Sequence, residues 1–450
     1  MNTQTLEPQP PGALQADIAI VGAGAAGMMA AIAAGRAARH SGACLRIVLL
    51  DSARRPGAKI LVAGGGRCNV THHEVTEQDY NVGPGSSRNS VRNILRGFDV
   101  PRTVAFFAEL GVQLKREETG KLFPTTDDAH TVLDALLRAV REAGCELLCP
   151  WRVEAITRDA AGFVLSGPAG VVAADRIIIA TGGKSLPKTG SDGHGWEMLR
   201  LLGHTVTRTF PALVPLVVDK SAKCLTDLSG LSHIAEVQVC SPSGRKVAAY
   251  TGSLLCTHFG LSGPAALDVS RHLAAARFED RGATLHINWL PGRTTEQCDA
   301  ALVAASARPG SVLRALLDAP AFAPAMPDRL ARAVIESAGV DPAAAVGTLT
   351  RDVRRALARA LTAMPVPVTG DRGYLFAEVT AGGVPLSEIR PATMESRPCP
   401  GLHICGEACD VDGRIGGFNF QWAWSSGWAA GQGAAQSLAE RERNPRNLAG

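Results

Sequence analysis

The chain has 450 residues, enough for two or three domains with substantial cores, and a formal net charge of +4. A charge this mild gives no reason to expect nucleic acid or an anionic membrane surface as a partner. The 11 cysteines are scattered and form no C-x-x-C pair, which argues against a disulfide framework or a metal site and favours a reduced, cytoplasmic compartment. We therefore expect no metal, nucleic-acid or membrane partner; the oligomeric state stays open.

The N-terminal stretch, residues 1–16, has neither the basic segment nor the apolar core of a signal peptide. Its polar and proline-rich composition predicts a disordered tail. No run of about 18 apolar residues occurs in the chain, so a transmembrane helix is not expected.

A nucleotide-binding pattern begins directly after this tail. Ile18–Val21 is a short apolar run typical of a buried parallel strand, and an alanine-rich helical segment follows it. Between them GAGAAG places Gly22, Gly24 and Gly27 in G-x-G-x-x-G spacing, and a second apolar run, LRIVLLD, ends in Asp51. Strand, helix, second strand and terminal acid together predict a complete βαβ unit.

Each of these residues has a physical role in such a unit. Gly22 permits the tight turn, Gly24 lets the backbone approach a pyrophosphate, and Gly27 lets the helix pack closely on the strand. Asp51 is placed to accept from a ribose hydroxyl, and its charge favours FAD or NAD over NADP, whose 2′-phosphate it would repel. The alternative is a glycine-rich turn without a ligand.

A glycine triplet follows in the segment KILVAGGGRCNVTH. Its flexible backbone suits close approach to a flat or anionic ligand, which makes Gly65, Gly66, Arg67 and Asn69 candidate cofactor contacts. The alternative is a flexible surface loop. Lys59 and His72, at the two ends of this segment, are expected to be solvated rather than catalytic.

Further along, residues 120–144 predict a turn and an amphipathic helix, and short strands come next. The last of these strands, Ile177–Ala180, ends in Thr181 and Gly182. Because open α/β sheets bind ligands beyond the carboxyl ends of their strands, these two residues are candidate cofactor contacts.

The middle of the chain has a different character. Residues of about 205–293 alternate as in β-hairpins, and those of about 294–362 are rich in Ala, Leu and Arg with helical periodicity. The arginines of this helical part are expected to form a solvated face rather than a nucleic-acid patch; they include Arg351, Arg354, Arg355 and Arg359.

Strand-like residues return with Gly382 and Gly383, and Leu402–Cys405 predicts a strand that ends at Gly406 and Glu407. The predicted fold class is α/β: a Rossmann-like FAD-binding domain with a mainly parallel sheet, interrupted by a mixed β-barrel-like and helical domain. The FAD-binding domain comprises 17–204 and 372–450, and the inserted substrate or cap domain comprises 205–371.

These segments occur in an order that resembles the YhiN/BaiN-like family of flavoproteins, also called aminoacetone-oxidase-like. The matching motifs are GAGAAG, KILVAGGGRCNVTH, GKLFP, IIIATGG, THFGLSGPAAL, EVTAGGV and GEACDVDGRIGGFNFQWAWSSG, and they span most of 17–431. The chain departs from the family at His194, where relatives commonly have Asp, and Arg414 stands at a variable position; neither departure has an assigned role.

The resemblance implies a bound FAD. It places the adenosine end at the βαβ unit and the pyrophosphate or flavin near the glycine triplet. Gly406 and Glu407 would lie near the ribityl chain, and Gly382 and Gly383 would approach the flavin ring. The residues expected at the pyrimidine edge are Asp412, Gly416, Gly417 and Asn419. A helix that starts near Asn419, anchored through Trp422, would direct its positive end toward this edge.

The resemblance also implies an FAD-dependent oxidoreductase that passes hydride between flavin N5 and a small organic substrate. The expected reaction is reduction of an activated C=C bond by NAD(P)H, which would visit the flavin transiently because only one G-x-G-x-x-G unit is present. Arg67 and His258 are candidate proton donors, although a structural role is the commoner use of such residues. The alternatives are an amine oxidase that releases hydrogen peroxide, a flavin-dependent RNA-binding or RNA-modifying protein, and a non-catalytic flavin-binding protein.

Overall fold

The computed structural model describes residues 12–318, 320–323 and 325–443. Phe210–Glu378 forms one compact unit, here called the inserted unit, and the chain on either side of it forms the other, the flanking unit.

The elements before the inserted unit lie in the flanking unit. The strands are β1 (Leu14–Val21), β2 (Ile47–Leu50), β3 (Thr71–His72), β4 (Tyr80–Val82), β5 (Leu114–Arg116), β6 (Lys121–Pro124), β7 (Cys145–Leu148), β8 (Ala155–Arg158), β9 (Phe163–Gly167) and β10 (Gly170–Ile179). The helices are α1 (Ala25–Ser41), α2 (Ala58–Val62), α3 (Arg88–Gly97), α4 (Val100–Glu109), α5 (Ala129–Glu142) and α6 (His194–Leu201).

The inserted unit follows with strands and helices of its own. The strands are β11 (Phe210–Ala212), β12 (Leu216–Val218), β13 (Ser232–Cys240), β14 (Lys246–Thr257), β15 (Gly260–Ser262), β16 (Thr284–Asn288), β17 (Met364–Val366) and β18 (Val368–Asp371). The helices are α7 (Lys223–Thr226), α8 (Pro264–Glu279), α9 (Thr295–Ser306), α10 (Val312–Asp318), α11 (Asp328–Ser337) and α12 (Arg351–Thr362).

The chain then completes the flanking unit. The strands are β19 (Val379–Ala381), β20 (Ile389–Arg390), β21 (Glu395–Ser396), β22 (Leu402–Ile404) and β23 (Val411–Gly413), and the helix is α13 (Phe418–Arg443). Short 3₁₀ turns include Ala63–Gly66 and Gly406–Ala408.

The main sheet of the flanking unit has a parallel centre in which β22, β10, β1, β2 and β7 are neighbours in that order. In chain order of these five strands, the sequence across the sheet is 3-2-1-4-5, which is the order of doubly wound nucleotide-binding sheets. The direction of winding reverses between β1 and β10, so a crevice opens beyond their carboxyl ends. The predicted Rossmann-like α/β fold is therefore confirmed.

The sheet of the inserted unit is antiparallel, in the order β17-β16-β13-β14-β15-β12-β18. Its two outermost strands, β17 and β18, are consecutive in the chain and separated only by Pro367. The sheet must therefore curl until its edges come close, which agrees with the predicted β-barrel-like and helical insert.

Two sequence-based boundaries differ from the structure. Residues 1–11 of the predicted tail lie outside the described residues, and its predicted end at 16 is wrong because Leu14–Ala16 already pairs with Val172–Ala174. The predicted limits of the inserted domain, after 204 and after 371, fall a few residues before those of the inserted unit. The Thr207 N–H donates to the Gly383 carbonyl, 2.9 Å away, and so keeps this segment in the flanking unit.

One of the four arginines predicted on a solvated face is instead paired. The guanidinium of Arg354 on α12 lies 2.7 Å from Asp299 on α9, and both side chains are about four-fifths buried, with 20% and 21% exposed. Arg351, Arg355 and Arg359 are exposed, as predicted.

Among the helices of the described residues, none is both long and apolar enough to cross a membrane.

Candidate functional site

The turn between β1 and α1 has the geometry that its glycines predict. A Cβ on Gly22, where φ is +101°, would lie 2.5 Å from the Ala180 carbonyl oxygen, and one on Gly27 would lie 1.8 Å from the Gly22 oxygen. These two glycines are required by the protein's own backbone. Gly24 is different because a Cβ there would meet nothing within 4 Å. It faces open space beyond the start of α1, where a pyrophosphate would approach.

Asp51 follows β2 and supports this turn. Its carboxylate accepts hydrogen bonds from the N–H groups of Ala23, at 2.6 Å, and Ala53, at 2.8 Å. Burial raises the pKa of Asp51, while the two backbone N–H groups oppose that rise. The carboxylate is therefore held at the carboxyl edge of the sheet beside the glycine turn, which is the predicted position for a ribose contact.

Thr181 lies beside this turn at the end of β10, since the same Cβ on Gly22 would also contact its Cα at 3.0 Å. Its hydroxyl oxygen is buried and has no hydrogen-bond partner among the described residues. The next residue, Gly182, continues the chain away from the sheet with φ of +74°. A buried hydroxyl without a partner at the switch point of the sheet is available to a ligand.

The glycine triplet lies in the 3₁₀ turn Ala63–Gly66. Gly65 and Gly66 are exposed, and a Cβ on Gly65 would meet nothing within 4 Å. Asn69 follows the triplet and is 7% exposed, and its Oδ1 is buried without a hydrogen-bond partner among the described residues. An open backbone beside an unsatisfied amide oxygen again indicates space for a polar ligand.

Arg67, by contrast, is fully engaged by the protein. Its guanidinium lies 2.6 Å from Glu117 and 3.4 Å from Asp127, and its centre is 4.0 Å from the centroid of the Phe123 ring. The hydrogen bond to Glu117 is the largest cause of a raised pKa for Arg67. These contacts argue against Arg67 as a proton donor, because they make its proton harder to release.

A polar network that the sequence did not indicate joins four segments of the flanking unit. The ammonium of Lys59 lies 2.9 Å from Glu407 and 2.8 Å from the hydroxyl of Ser185. Ser185 and the N–H of Thr380 both donate to the other Glu407 oxygen, each at 2.9 Å. The Thr380 hydroxyl accepts from the Ser185 N–H at 3.0 Å. The sequence predicts a solvated Lys59, whereas the structure holds its ammonium against Glu407.

The residues predicted at the pyrimidine edge lie in β23 (Asp412), in the loop after it (Gly416 and Gly417) and in the first turn of α13 (Asn419). Asn419 is fully used by the protein: its Oδ1 accepts from the Gly413 N–H at 2.8 Å, and its Nδ2 donates to the Gly413 carbonyl at 2.9 Å. Asp412 is 2% exposed and accepts from Asn81 at 3.2 Å. A Cβ on Gly417 would lie 2.5 Å from the Thr71 backbone, whereas one on Gly416 would meet side-chain atoms only, at 3.4 Å and beyond.

Helix α13 positions the loops on which these residues lie. The indole N–H of Trp422 donates to the Gly406 carbonyl at 2.9 Å, and that of Trp424 donates to the Val70 carbonyl at 2.9 Å. The Gly406 N–H donates to the hydroxyl of Ser426 at 3.0 Å. The tryptophans are thus buried anchors that hold the loop at Gly406 and the strand after the glycine triplet.

Two glycines of α13 allow this helix to pack closely on α1. A Cβ on Gly427 would lie 2.4 Å from the Ala26 oxygen, and one on Gly431 would lie 2.1 Å from the Ala30 oxygen. Helix α13 thus carries both aromatic anchors and glycines that permit close packing, which explains why both residue types are concentrated in this segment.

Several predicted contacts have other surroundings. A Cβ on Gly382 would lie 2.3 Å from the Arg208 oxygen and one on Gly383 2.6 Å from the Ala408 oxygen, so both glycines are required by neighbouring backbone. The ring of His194 lies between Glu197 and the Glu154 carbonyl, each 2.9 Å away, and the Arg414 guanidinium lies 3.5 Å from Asp79.

His258 lies in the inserted unit, in the turn between β14 and β15. Its ring is exposed and packs edge-on against Phe259 with the centroids 5.1 Å apart. His72, predicted to be solvated, is half-buried, and its ring stacks on Phe418 at 4.9 Å.

Comparison with known proteins identifies the family. The model described as HI0933-like protein Rossmann domain matches residues 16–433. The chain belongs to the HI0933-like family. This assignment confirms the resemblance found in the sequence, the Rossmann-like FAD-binding fold and the class of FAD-dependent oxidoreductases.

Two relatives of this HI0933-like protein match over nearly their whole length. The 3-dehydro-bile acid delta(4,6)-reductase of Clostridium scindens is 33% identical over 421 residues, which cover 93% of this chain and 99% of the relative. The ribosomal RNA dihydrouridine synthase of Escherichia coli is 33% identical over 416 residues, covering 92% and 97%.

A third relative and one solved structure extend the comparison. The ribosomal RNA dihydrouridine synthase of Haemophilus influenzae is 30% identical, covering 91% of this chain and 96% of the relative. The 3-ketosteroid delta1-dehydrogenase of Sterolibacterium denitrificans is 12% identical with a TM-score of 0.49, covering 94% of this chain and 100% of that one.

Proposed function

We propose that this HI0933-like protein is an FAD-containing reductase of C=C bonds conjugated to a carbonyl group, with NAD(P)H as the electron donor. The observation that carries the proposal is the common chemistry in the names of its full-length relatives. A delta(4,6)-reductase acting on a 3-oxo steroid and a dihydrouridine synthase acting on uracil both add two hydrogens across a double bond conjugated to a carbonyl. The same reaction serves two unrelated substrates.

The residues of the flanking unit fit FAD. The buried, unpartnered Asn69 Oδ1 and Thr181 Oγ1 need polar partners, and the open faces of Gly24 and Gly65 admit a ligand to the backbone. We infer that the residues that would hold FAD are those the sequence predicted, apart from Arg67, whose guanidinium is paired with Glu117 and Asp127: Gly22, Gly24, Gly27, Asp51, Gly65, Gly66, Asn69, Thr181, Gly182, Gly382, Gly383, Gly406, Glu407, Asp412, Gly416, Gly417 and Asn419. When bound, FAD would supply hydride-transfer chemistry, accepting a hydride at N5 from a donor and passing it to the substrate.

Within this set the residues divide into two kinds. Gly24, Gly65, Asn69 and Thr181 have groups free to face the cofactor. Gly382, Gly383, Gly417 and Asn419 are used by the protein itself and would act by shaping the backbone around it. We therefore assign no role in hydrogen bonding FAD to the Asn419 side chain.

The reduction needs a hydride and a proton for each double bond. In the proposal NAD(P)H provides the hydride through the flavin and is released as NAD(P)⁺. Arg67 is not a suitable proton donor because of its pairing with Glu117 and Asp127. His258 is exposed on the inserted unit and remains a predicted proton donor.

The second candidate substrate is uridine within ribosomal RNA. The Escherichia coli and Haemophilus influenzae relatives favour it, because both are named as acting on ribosomal RNA and both match over at least 96% of their length. The mild charge of +4, by contrast, gives no indication of a nucleic-acid partner. The two candidates share the chemistry and differ only in what carries the double bond.

An anaerobic absorption spectrum before and after NADH or NADPH tests the cofactor and the donor. We expect oxidised flavin bands at roughly 370 and 450 nm that bleach on addition of the nucleotide. Reoxidation by a cyclic enone would then support the small-molecule candidate, and a two-hydrogen mass gain in ribosomal RNA would support the RNA candidate. A colourless protein that FAD cannot reconstitute would overturn the proposal, and peroxide release with an amine would point to an oxidase.

A further inference from the structure

An arginine that contacts two aromatic rings lies in the inserted unit. The guanidinium carbon of Arg372 is 3.6 Å from the ring centroid of Phe376 and 4.5 Å from that of Phe259. Phe376 is 44% exposed, and the adjacent Leu375 is 56% exposed. We call Phe259, Arg372, Leu375 and Phe376 the Arg372 cluster. Leu375 and Phe376 are adjacent in the chain, and contiguous exposed apolar surface marks interaction sites whereas isolated exposed apolar residues do not.

The backbone around the Arg372 cluster is fixed by hydrogen bonds. The Phe259 carbonyl accepts from the Val218 N–H at 3.1 Å, and the Arg372 N–H donates to the Pro215 carbonyl at 3.1 Å. The Phe376 N–H donates to the Gly373 carbonyl at 3.1 Å, closing a turn. The backbone positions of Phe259, Arg372 and Phe376 are therefore set without a ligand, which lowers the conformational cost of binding.

Arg372 has no acidic partner. In the part of the chain that the structure describes, no carboxylate lies within ion-pair distance of its guanidinium, whereas Arg67 and Arg354 each have one within 3 Å. The nearest acid in sequence, Asp371, accepts from the Gly373 N–H at 2.7 Å. A guanidinium without a carboxylate partner keeps planar N–H donors for an oxyanion, the geometry in which arginine binds carboxylates and phosphates.

We propose that the Arg372 cluster binds the substrate of the proposed reductase through an oxyanion carried on an apolar or aromatic ring system. Arg372 would bind the oxyanion, and Phe376 and Leu375 would contact the ring system. This chemistry has two sources among the candidate substrates: the carboxylate of a bile acid and the phosphate beside a base in RNA. The inference rests on the proposed function for the identity of the ligand, but the cluster's ability to bind does not depend on flavin reduction.

The test measures dissociation constants of the FAD-loaded protein for three probes by titration calorimetry: cholate, uridine monophosphate and neutral uridine. Charge-assisted hydrogen bonds are worth enough that Arg372→Gln should weaken binding of an anionic probe about tenfold or more. It should leave uridine binding nearly unchanged, because uridine lacks the oxyanion. Phe376→Ala should weaken cholate and both uridine probes by a smaller factor.

Two matched variants control for general effects. Phe278 is 43% exposed in the same unit, so Phe278→Ala removes a comparable ring outside the cluster. Arg351 is an exposed arginine of the same unit, so Arg351→Gln removes the same charge elsewhere. Neither should change any of the three dissociation constants by more than about twofold. Retained flavin content and melting temperature in Arg372→Gln would show that the variant is folded.

The outcomes distinguish the ligand sources and the two proposals. If only cholate binding depends on Arg372, the ligand is a small carboxylic acid. If only uridine monophosphate binding depends on it, the ligand is a nucleotide. If both depend on it, the site recognises the oxyanion that they share. If Arg372→Gln affects the anionic probes no more than Arg351→Gln does, the proposed site is wrong, even where NAD(P)H still bleaches the flavin. If binding depends on Arg372 but no reductant bleaches the flavin, the proposed reductase is wrong and the site stands.

Discussion

Replacing Lys59 with methionine should destabilise the flanking unit by removing the cation beside Glu407. The ammonium lies 2.9 Å from the carboxylate, and the side chains are 27% and 15% exposed. Exposed ion pairs contribute roughly 0–1 kcal/mol, and removal of one partner from a fully buried pair costs roughly 3–5 kcal/mol. The exposure here is intermediate, and Ser185 and Thr380 still donate to Glu407, so we expect a loss of about 2 kcal/mol in the free energy of unfolding.

The assay is urea unfolding of the apoprotein followed by tryptophan fluorescence. This signal reports mainly on the flanking unit, which contains every tryptophan except Trp289: Trp151, Trp196, Trp422, Trp424 and Trp428. A double-mutant cycle with Glu407→Gln should show that the two losses are not additive, because Lys59→Met and Glu407→Gln remove the same interaction.

Arg46→Met is the matched control. Arg46 lies 3.4 Å from Glu146 in the same unit, but both side chains are about half exposed, at 50% and 49%. Its loss should stay below about 0.5 kcal/mol. Equal losses for Lys59→Met and Arg46→Met, or additive losses in the cycle, would refute the conclusion that Lys59 and Glu407 form a partly buried, stabilising pair.

Three further changes have distinct expected results. Gly27→Ala places a Cβ 1.8 Å from the Gly22 oxygen and should lower the apoprotein melting temperature by about 5 °C or more. The Cβ of Gly24→Ala meets no atom within 4 Å, so this variant should leave the melting temperature nearly unchanged. It should, however, weaken FAD binding at least about tenfold. Trp422→Ala removes a side chain that is 2% exposed, and should cost about 3–5 kcal/mol of stability and release flavin on dialysis. Burial lowers the pKa of His403 from its usual 6.5 to about 4. Because the folded-state pKa lies below that of the unfolded chain, protonation favours unfolding, and stability should fall as the pH decreases from about 6.5 toward 4, by about 2 kcal/mol at pH 5.

Each of these results has a simple check. Gly24→Ala and Gly27→Ala should be compared by melting temperature and by FAD titration, and identical effects on both would contradict the assignment of Gly24 to the ligand side. Trp422→Phe should retain more flavin than Trp422→Ala, since it preserves most of the packing. For His403, urea unfolding at pH 7 and pH 5 should show a smaller loss in His403→Gln than in the wild type; equal losses would assign the acid sensitivity to other groups.

The sequence alone determined the βαβ unit and its glycines. The roles of Gly22 and Gly27 depend on contacts within one strand–turn–helix segment and its neighbouring strand, so local pattern and spacing contain the necessary information. The same holds for Asp51, whose carboxylate accepts from Ala23 in the turn it was predicted to adjoin. The long motifs also placed the chain in its family.

Only the tertiary structure decided which polar side chains are available. Lys59 and Glu407 are 348 residues apart, and nothing in the periodicity of either segment indicates the other. Arg67 has the expected position but is used by Glu117 and Asp127, which lie on segments that sequence reasoning did not connect to it. Hydrogen bonds and ion pairs satisfy side chains regardless of their separation along the chain, and a sequence shows a residue's chemistry but not whether a distant partner already uses it.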